Sequence, residues 1–159
     1  MEFSEVTKTF TVAVENNDGK KLASLFTVDG IYDDYIYGEF KGRRNIAMML
    51  PTHFHRDAKN FSWEMYDLLN DKSKGYARYR FSFTSTLTGS ENLKVAVPGM
   101  AYFQFDGNLI EYYGEVVNGG IPMAQLNLPA GKIKRVFEKW SDRALDSDSE
   151  LKKLYTKGE

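Results

Sequence analysis

The sequence contains no cysteine, which excludes disulfide bonds, thiol nucleophiles and cysteine-ligated zinc. Its two histidines, His53 and His55, are the only imidazoles that could bind a metal. Two residues apart, their rings diverge on a helix and face the same way only on an extended segment. No third ligand is evident beside them, so we expect no metal site.

The chain also lacks a charge excess and long apolar runs. It carries 21 Lys and Arg against 22 Asp and Glu, a net charge of -1. No stretch approaches the roughly 18 apolar residues of a membrane-spanning helix, and Met1–Glu5 does not resemble a secretory signal. Dinucleotide and phosphate-loop motifs are missing too. We therefore predict a cytoplasmic protein that needs no cofactor and binds neither nucleic acid nor membrane.

Aromatic residues are abundant, at 14% of the 159 residues. A chain of this length forms one domain with a single core. Tyrosine and phenylalanine concentrate in the middle of the sequence, where they suit either a β-rich core or an aromatic-lined ligand pocket.

The first third of the chain is predicted to be mostly helical. Its predicted elements are a helix starting near Ser4 and ending near Asn16, a short helix capped by Asp18, strands from Gly30 and from Glu39 with a turn at Gly38, and a third helix from Arg43 or Arg44. Pro51 should kink or break that third helix.

The rest of the chain reads as a curved antiparallel meander followed by helices. Alternation of apolar and polar residues predicts strands around 61–66, 77–85, 94–105 and 109–117. Pro98-Gly99 should interrupt the strand with a bulge or a bend, because proline cannot donate to a ladder. Helical turns follow at Ile121 and Pro129, and residues 142–159 form a charged tail or a loosely docked helix.

The last strand carries the residue that most needs an explanation. Strict alternation places Glu111, Tyr113 and Glu115 on one face of the strand and Ile110 and Tyr112 on the other. An ionised carboxylate on a half-buried surface costs free energy unless it is paired, hydrated or used. Glu115 is therefore either a functional group or part of a face that meets solvent or a partner subunit.

Three segments resemble SnoaL-like domains of the nuclear-transport-factor-2-like superfamily. They are Ile110–Gly119, which resembles the last strand of the family, Phe26–Ile31, which resembles its entry into the first strand, and Phe40–Ile46, which resembles its entry into the third helix. The order of predicted elements also matches. The resemblance implies a cone-shaped α+β domain over residues 1–128, with residues 129–159 as a helical extension and charged tail of the same domain, and a homodimer.

The resemblance also implies roles for two acids. Glu115 falls on the acid that points into the central pocket, where several family enzymes have their acid/base. Asp34 falls where ketosteroid isomerase carries its proton-abstracting Asp, although Asp33-Asp34 could equally be a wet turn. That isomerase's two hydrogen-bond donors to the substrate fall on Phe10 and Ala101, which cannot donate, so steroid isomerisation of that type is not expected.

Further candidates come from the helices and the sheet. His53 lies on the core face of the third helix, where scytalone dehydratase has a pocket histidine; it is either catalytic or a satisfied core residue. Arg78 and Arg80 share a strand face. Either they bind a carboxylate substrate, or they lie on a solvated face of the sheet or in a subunit contact. The aromatic wall that would bind the substrate is predicted to comprise Tyr32, Tyr35, Trp63, Tyr79, Tyr102 and Tyr113.

These residues together predict a small-molecule enzyme of SnoaL-like type. The expected reaction is a cofactor-free acid/base cyclisation, isomerisation or dehydration of an apolar carbonyl or polycyclic substrate, with Glu115 as principal acid/base and Asp34 and His53 assisting. Two alternatives stay open, a hydrophobic-ligand-binding module without catalysis and a dimeric adaptor domain.

Overall fold

In the computed structural model, which describes residues 2–156, two helices precede the sheet. They are α1 (Phe3–Glu15) and α2 (Gly19–Ser24). α1 starts earlier than expected, because Glu2 rather than Ser4 is its N-cap, and the Glu2 N–H donates to the Glu5 carboxylate at 3.4 Å. Asp18 caps α2 as expected, accepting a 2.9 Å hydrogen bond from the Lys21 N–H.

A strand pair and a broken helix come next. The strands are β1 (Phe26–Asp34), which begins four residues before the expected Gly30, and β2 (Gly38–Lys41). α3 (Arg43–Met49) continues into a π-helical turn, Leu50–Phe54, and a last helical turn, α4 (His55–Asp57). The interruption expected at Pro51 thus takes the form of a single wider turn, because proline has no N–H to continue the α-helical ladder.

The remaining strands form the predicted meander. They are β3 (Ala58–Asn70), β4 (Lys74–Ser85), β5 (Lys94–Asp106) and β6 (Leu109–Val117), each antiparallel to the next. The six-stranded order is β2-β1-β6-β5-β4-β3, and the β1–β6 pairing is parallel. The architecture is therefore α+β with a curved mixed sheet, and the parallel pairing brings the end of β1 beside the end of β6.

The predicted bulge at Pro98-Gly99 is wrong. β4 and β5 pair without interruption from Lys74 to Thr84, with Pro98 opposite Arg80. Ala96, two residues before Pro98, turns its N–H away from β4 and donates to the Gln125 side chain at 2.8 Å. Pro98 shares that orientation, so the N–H that it lacks is not one that β4 would use.

A bulge does occur in β6. Gln104 pairs with Tyr112 but Phe105 pairs with Ile110, so Glu111 is the extra residue. As a result Ile110 and Tyr113 are both fully buried on the inner face, while Glu111 is exposed. The strict alternation predicted for this strand is wrong across Glu111 and holds from Tyr112 onward.

The inner face of the sheet is filled by aromatic rings. Phe10 of α1 lies in the middle of them, with its ring centroid 4.6 Å from that of Tyr113 and 5.6 Å from those of Tyr32 and Trp63. Phe10, Tyr32 and Tyr113 have no exposed surface. Much of the expected aromatic wall is therefore packed core, because aromatic side chains have large apolar surfaces whose burial stabilises the fold.

α1 also protects one edge of the sheet. β3 is an edge strand of 13 residues, and the Glu15 carboxylate accepts a 2.6 Å hydrogen bond from its Trp63 N–H. The pairing of β3 with β4 shifts register twice, and Asn60 and Asp67 at these shifts have positive φ. The regular spacing of backbone groups along β3 is therefore interrupted.

The chain divides into two compact units, Met1–Leu126 and Asn127–Glu159. α5 (Gly120–Gln125) ends the first, and the second contains α6 (Ala130–Ser147) and α7 (Ser149–Thr156). Residues 142–156, expected to be a tail or a loosely docked helix, are thus mostly helical; the last three residues of the predicted tail lie outside the described ones. The assignment of residues 129–159 to the same domain stays a prediction. Within residues 2–156 no helix is long and apolar enough to cross a membrane.

Candidate functional site

Glu115 lies on the inner face of β6 among hydrogen-bond donors. Tyr113 and Tyr79 donate their hydroxyls to Oε2 at 3.0 and 3.1 Å, and the Tyr35 N–H donates to Oε1 at 3.4 Å. Its cross-strand neighbour on the same face is the fully buried Ala101. The carboxyl group is therefore held by three neutral donors from three different strands or turns.

The electrostatic setting of Glu115 favours its protonated form. Burial, and then the charge of Asp34, raise the pKa of Glu115 from 4.5 to about 8, against the opposing hydrogen bonds from Tyr113, Tyr35 and Tyr79. Although the residue as a whole is only partly buried, its carboxyl group lies deep enough for loss of hydration to be the largest cause. The site thus contains a carboxyl group that keeps its proton near neutral pH.

Asp34, the last residue of β1, is only 4% exposed and is not part of a wet turn. Its Oδ1 accepts hydrogen bonds from the Ile36 and Tyr37 N–H groups at 2.9 and 2.7 Å. These bonds shape the turn that carries the Tyr35 N–H to Glu115. The parallel β1–β6 pairing, which places Asp33 opposite Gly114, therefore brings Asp34 beside Glu115.

His53 belongs to a different group of residues. Its ring packs edge-on against Tyr37 and Phe40, with centroids 5.0 Å apart in both cases, and its Nδ1 lies 2.9 Å from the Thr52 hydroxyl. None of the hydrogen bonds described for residues 2–156 joins it to Glu115. Its predicted catalytic role stays a prediction without a described contact to the acid pair. His55 contacts the Val14 carbonyl through Nε2 at 2.8 Å, so it anchors α4 to α1.

Sequence analysis did not predict the hydrogen-bonded residues near His53, which are Tyr37, Arg56 and Asp57. Tyr37 donates its hydroxyl to Asp57 Oδ2 at 2.8 Å, and Arg56 forms a two-pronged ion pair with the same carboxylate. The Arg56 hydrogen bond is the largest cause that lowers the pKa of Asp57, whereas burial raises that of Tyr37. The adjacency of Arg56 and Asp57 is the one sequence signal for this cluster, and no nearby sequence pattern indicates that Tyr37 joins it.

The six expected wall residues occupy different places. Tyr79 and Tyr113 bind Glu115, and burial raises the pKa of both hydroxyls, which keeps them protonated. Tyr35 reaches Glu115 through its backbone. Tyr32 and Trp63 are core residues whose Oη and Nε1 atoms have no hydrogen-bond partner in the described chain. Tyr102 lies on the opposite face of the sheet, against Tyr76 and Tyr112.

The opposite, solvent-facing side of the sheet also holds Arg78 and Arg80. They pair with Asp67 at 3.0 Å and Glu64 at 2.8 Å, and both guanidinium groups lie over the Tyr66 ring. All four charged side chains are more than half exposed. These arginines therefore lie on a solvated face of the sheet, on the side opposite Glu115, and carboxylate binding by them stays a prediction. Among the described residues no cluster of three or more histidine, aspartate or glutamate side chains could hold a metal.

Comparisons of the fold give relatives with the same architecture. A protein with a ketosteroid isomerase-like fold from Catenulispora acidiphila, determined in complex with trimethylamine, has a TM-score of 0.71 at 20% identity, covering 80% of this chain and 95% of the other. An epoxide hydrolase of M. tuberculosis, described as LEH-like, has a TM-score of 0.63 at 15% identity over 77% and 86% of the two chains. A proposed SnoaL-like polyketide cyclase from Shewanella putrefaciens has a TM-score of 0.66 at 16% identity, covering 79% of this chain and 96% of the other.

At these identities the structural relatives show the fold alone. No curated protein sequence matches the chain significantly. The sequence model of the SnoaL-like domain, in contrast, matches residues 6–113, about two thirds of the chain, and so includes Asp34, His53 and most of β6 while ending two residues before Glu115. The chain, with its curved six-stranded sheet and its helices, belongs to the SnoaL-like domain family.

Proposed function

We propose that this protein catalyses a cofactor-free acid/base reaction on a small, mostly apolar carbonyl or polycyclic compound. Glu115 would be the general acid and Asp34 the general base. The observation that carries the proposal is the buried Glu115 carboxyl group, whose pKa is raised to about 8 by burial and then by the charge of the neighbouring Asp34. Two neighbouring acids whose surroundings favour opposite protonation states can take and give a proton in one step.

The chemistry follows from these two states. Asp34 removes a proton from the carbon next to a carbonyl group, and Glu115 donates its proton to the carbonyl oxygen, which yields an enol. The reverse transfers regenerate the ketone. The Tyr79 and Tyr113 hydroxyls stay neutral and hold the Glu115 carboxyl group in place for this transfer. Cyclisation, isomerisation and dehydration of carbonyl compounds all pass through such an enol, so the same pair serves each of them.

The proposal predicts catalysed exchange of the α hydrogens of a bicyclic ketone. We expect the protein to accelerate the uptake of deuterium by β-tetralone in D₂O, followed by proton NMR, because enol formation and its reversal exchange these hydrogens. Heat-denatured protein is the control for general buffer catalysis. Binding of β-tetralone without faster exchange would contradict enzymatic enolisation of this ketone and support a ligand-binding module, for which the relative in complex with trimethylamine is a precedent.

A second candidate, a dimeric adaptor domain, is favoured by the exposed side of the sheet. This outer patch comprises Leu69, Tyr76, Met100 and Val116, which are 41–72% exposed. Val116 pairs with Met100, and Tyr76 pairs with Leu69, so the four lie on the face opposite Glu115. Apolar area of this kind is typical of a surface that a partner covers, and a second copy of the chain is the partner that we propose.

The outer patch gives a prediction about association. Val116→Glu should shift a dimer toward monomers by at least about tenfold in dissociation constant, because it places an unpaired charge in the covered surface. Val28→Glu is the matched control, since Val28 is 70% exposed compared with 72% for Val116 and does not belong to the outer patch. Sedimentation velocity measures both. A monomeric wild-type protein, or equal effects of the two substitutions, would contradict association through this patch.

A further inference from the structure

The contact between Tyr79 and Glu115 spans a whole strand. Tyr79 lies on β4 and Glu115 on β6, with β5 between them. Two strand spacings amount to about 10 Å, yet the Tyr79 hydroxyl lies 3.1 Å from Glu115 Oε2. The tyrosine side chain therefore has to cross the inner face of β5, and any side chain that β5 presents there would be in its way.

β5 has its smallest residues at the crossing point. Tyr79 pairs with Gly99, and Glu115 pairs with Ala101. A Cβ atom on Gly99 would overlap Cζ and Oη of Tyr79 and lie 2.6 Å from Cε1. Gly99 is not among the glycines with positive φ, so its backbone does not require glycine. Glycine is needed at position 99 because the Tyr79 ring occupies the space that a side chain would fill.

We propose that Gly99 is a positioning residue of the site: because it has no side chain, Tyr79 can cross β5 and hold the Glu115 carboxyl group. The positioning role rests on the proposed function, because holding the Glu115 carboxyl group affects catalysis only if Glu115 acts as an acid. The contact itself can be tested without measuring turnover. The Tyr79 hydrogen bond favours the ionised form of Glu115, one of three donors that oppose the effect of burial. Gly99 would thereby tune how readily Glu115 releases its proton.

A double-mutant cycle tests the coupling between Gly99 and the Tyr79 hydroxyl. The readout is the pKa of Glu115, measured by carbon-13 NMR of its side-chain carboxyl group. Tyr79→Phe should raise this pKa by about 1 unit in the wild-type background, because it removes one hydrogen bond to the ionised form. In the G99A background the same substitution should change it by much less, because the ring has already been displaced. Equal shifts in both backgrounds would overturn the proposal.

Gly75→Ala is the matched control for a general loss of packing. A Cβ on Gly75 would lie 2.6 Å from Cζ of Phe3, in the same sheet but against α1 rather than Glu115. G75A should therefore lower the melting temperature and leave the Tyr79→Phe shift intact. If G75A removes that shift as fully as G99A does, the G99A result reports packing in general, and the positioning role is refuted.

A measurement on the unmodified protein keeps the proposal testable if G99A does not fold. The α proton of Gly99 that occupies the position of the missing Cβ should resonate upfield of the ordinary glycine range, because that position abuts the Tyr79 ring. The same proton should show nuclear Overhauser effects to the Tyr79 ring protons, and Tyr79→Leu should return it to an ordinary position. Ordinary shifts without such effects in the wild-type protein would overturn the proposal. Neither result depends on whether β-tetralone is turned over, so failure of the proposed function would be seen separately.

Discussion

Glu115→Gln is expected to reduce the enzyme-catalysed exchange of β-tetralone α hydrogens by about 10²- to 10⁴-fold. The amide is close to the carboxyl group in size and can still accept a hydrogen bond from Tyr79 or Tyr113, but it has no acidic proton to give to the carbonyl oxygen. The loss should appear mainly in the rate at saturating ketone, because the substitution leaves the surrounding shape unchanged.

The same strand provides the control for this experiment. Glu111→Gln makes the same change of side chain on β6, but Glu111 is exposed at the bulge and accepts a hydrogen bond from the Gln104 side chain. We expect exchange rates within a factor of two of the wild type, a loss of about 0.4 kcal/mol at most. If Glu115→Gln retained wild-type exchange, Glu115 would not be the acid, and the assignment of the site would be wrong.

Stability should depend on pH through the same carboxyl group. The pKa of Glu115 is raised to about 8 in the folded protein, compared with about 4.5 in the unfolded chain. Between these values the folded state holds a proton that the unfolded state has lost, so the contribution of Glu115 falls as the pH rises, by at most about 1.4 kcal/mol per pH unit. From pH 5 to pH 8 the wild-type protein should lose about 3 kcal/mol relative to Glu115→Gln.

Urea unfolding at several pH values measures this difference. The informative quantity is the difference in free energy of unfolding between wild type and Glu115→Gln, because titrating groups distant from Glu115 affect both proteins alike. The gap should be small near pH 4 and widen toward pH 8, where the variant is the more stable protein. Curves that stay parallel from pH 5 to pH 8 would show that Glu115 ionises in the folded state as it does in the unfolded chain. The raised pKa, and with it the general acid, would then be refuted.

Local sequence patterns were enough to predict most elements, whereas the inward direction of Glu115 was implied only by the SnoaL-like resemblance. The four meander strands follow from alternation and from turn residues close by in the sequence, and from Tyr112 to Val117 the faces of β6 are as predicted. The cap of α2 by Asp18 is likewise local. The SnoaL-like resemblance added separate roles for Asp34 and Glu115, which the spacing of two residues 81 positions apart cannot provide.

Features set by distant pairing could not be predicted. The bulge at Glu111 arises from how β5 and β6 are matched, and it overturned the strict alternation around Ile110. Tyr102 looked like a wall residue by type, but its pairing with Gly114 places it on the outer face. The bond between Tyr37 and Asp57 joins two turns that only the folded chain brings together. In each case the deciding contact is long-range, whereas propensity and periodicity describe near neighbours.

The hydrogen bond from the Trp63 N–H to Glu15 has a consequence for how the protein can assemble. An unpaired strand of 13 residues would be a template on which another chain could add a strand and extend the sheet from molecule to molecule. Here one of its donors is already bound by α1, and the positive-φ residues Asn60 and Asp67 break the remaining repeat. Addition of a strand from another copy of the chain along the β3 edge is thereby disfavoured, which lowers the tendency of the sheet to extend from molecule to molecule at that edge.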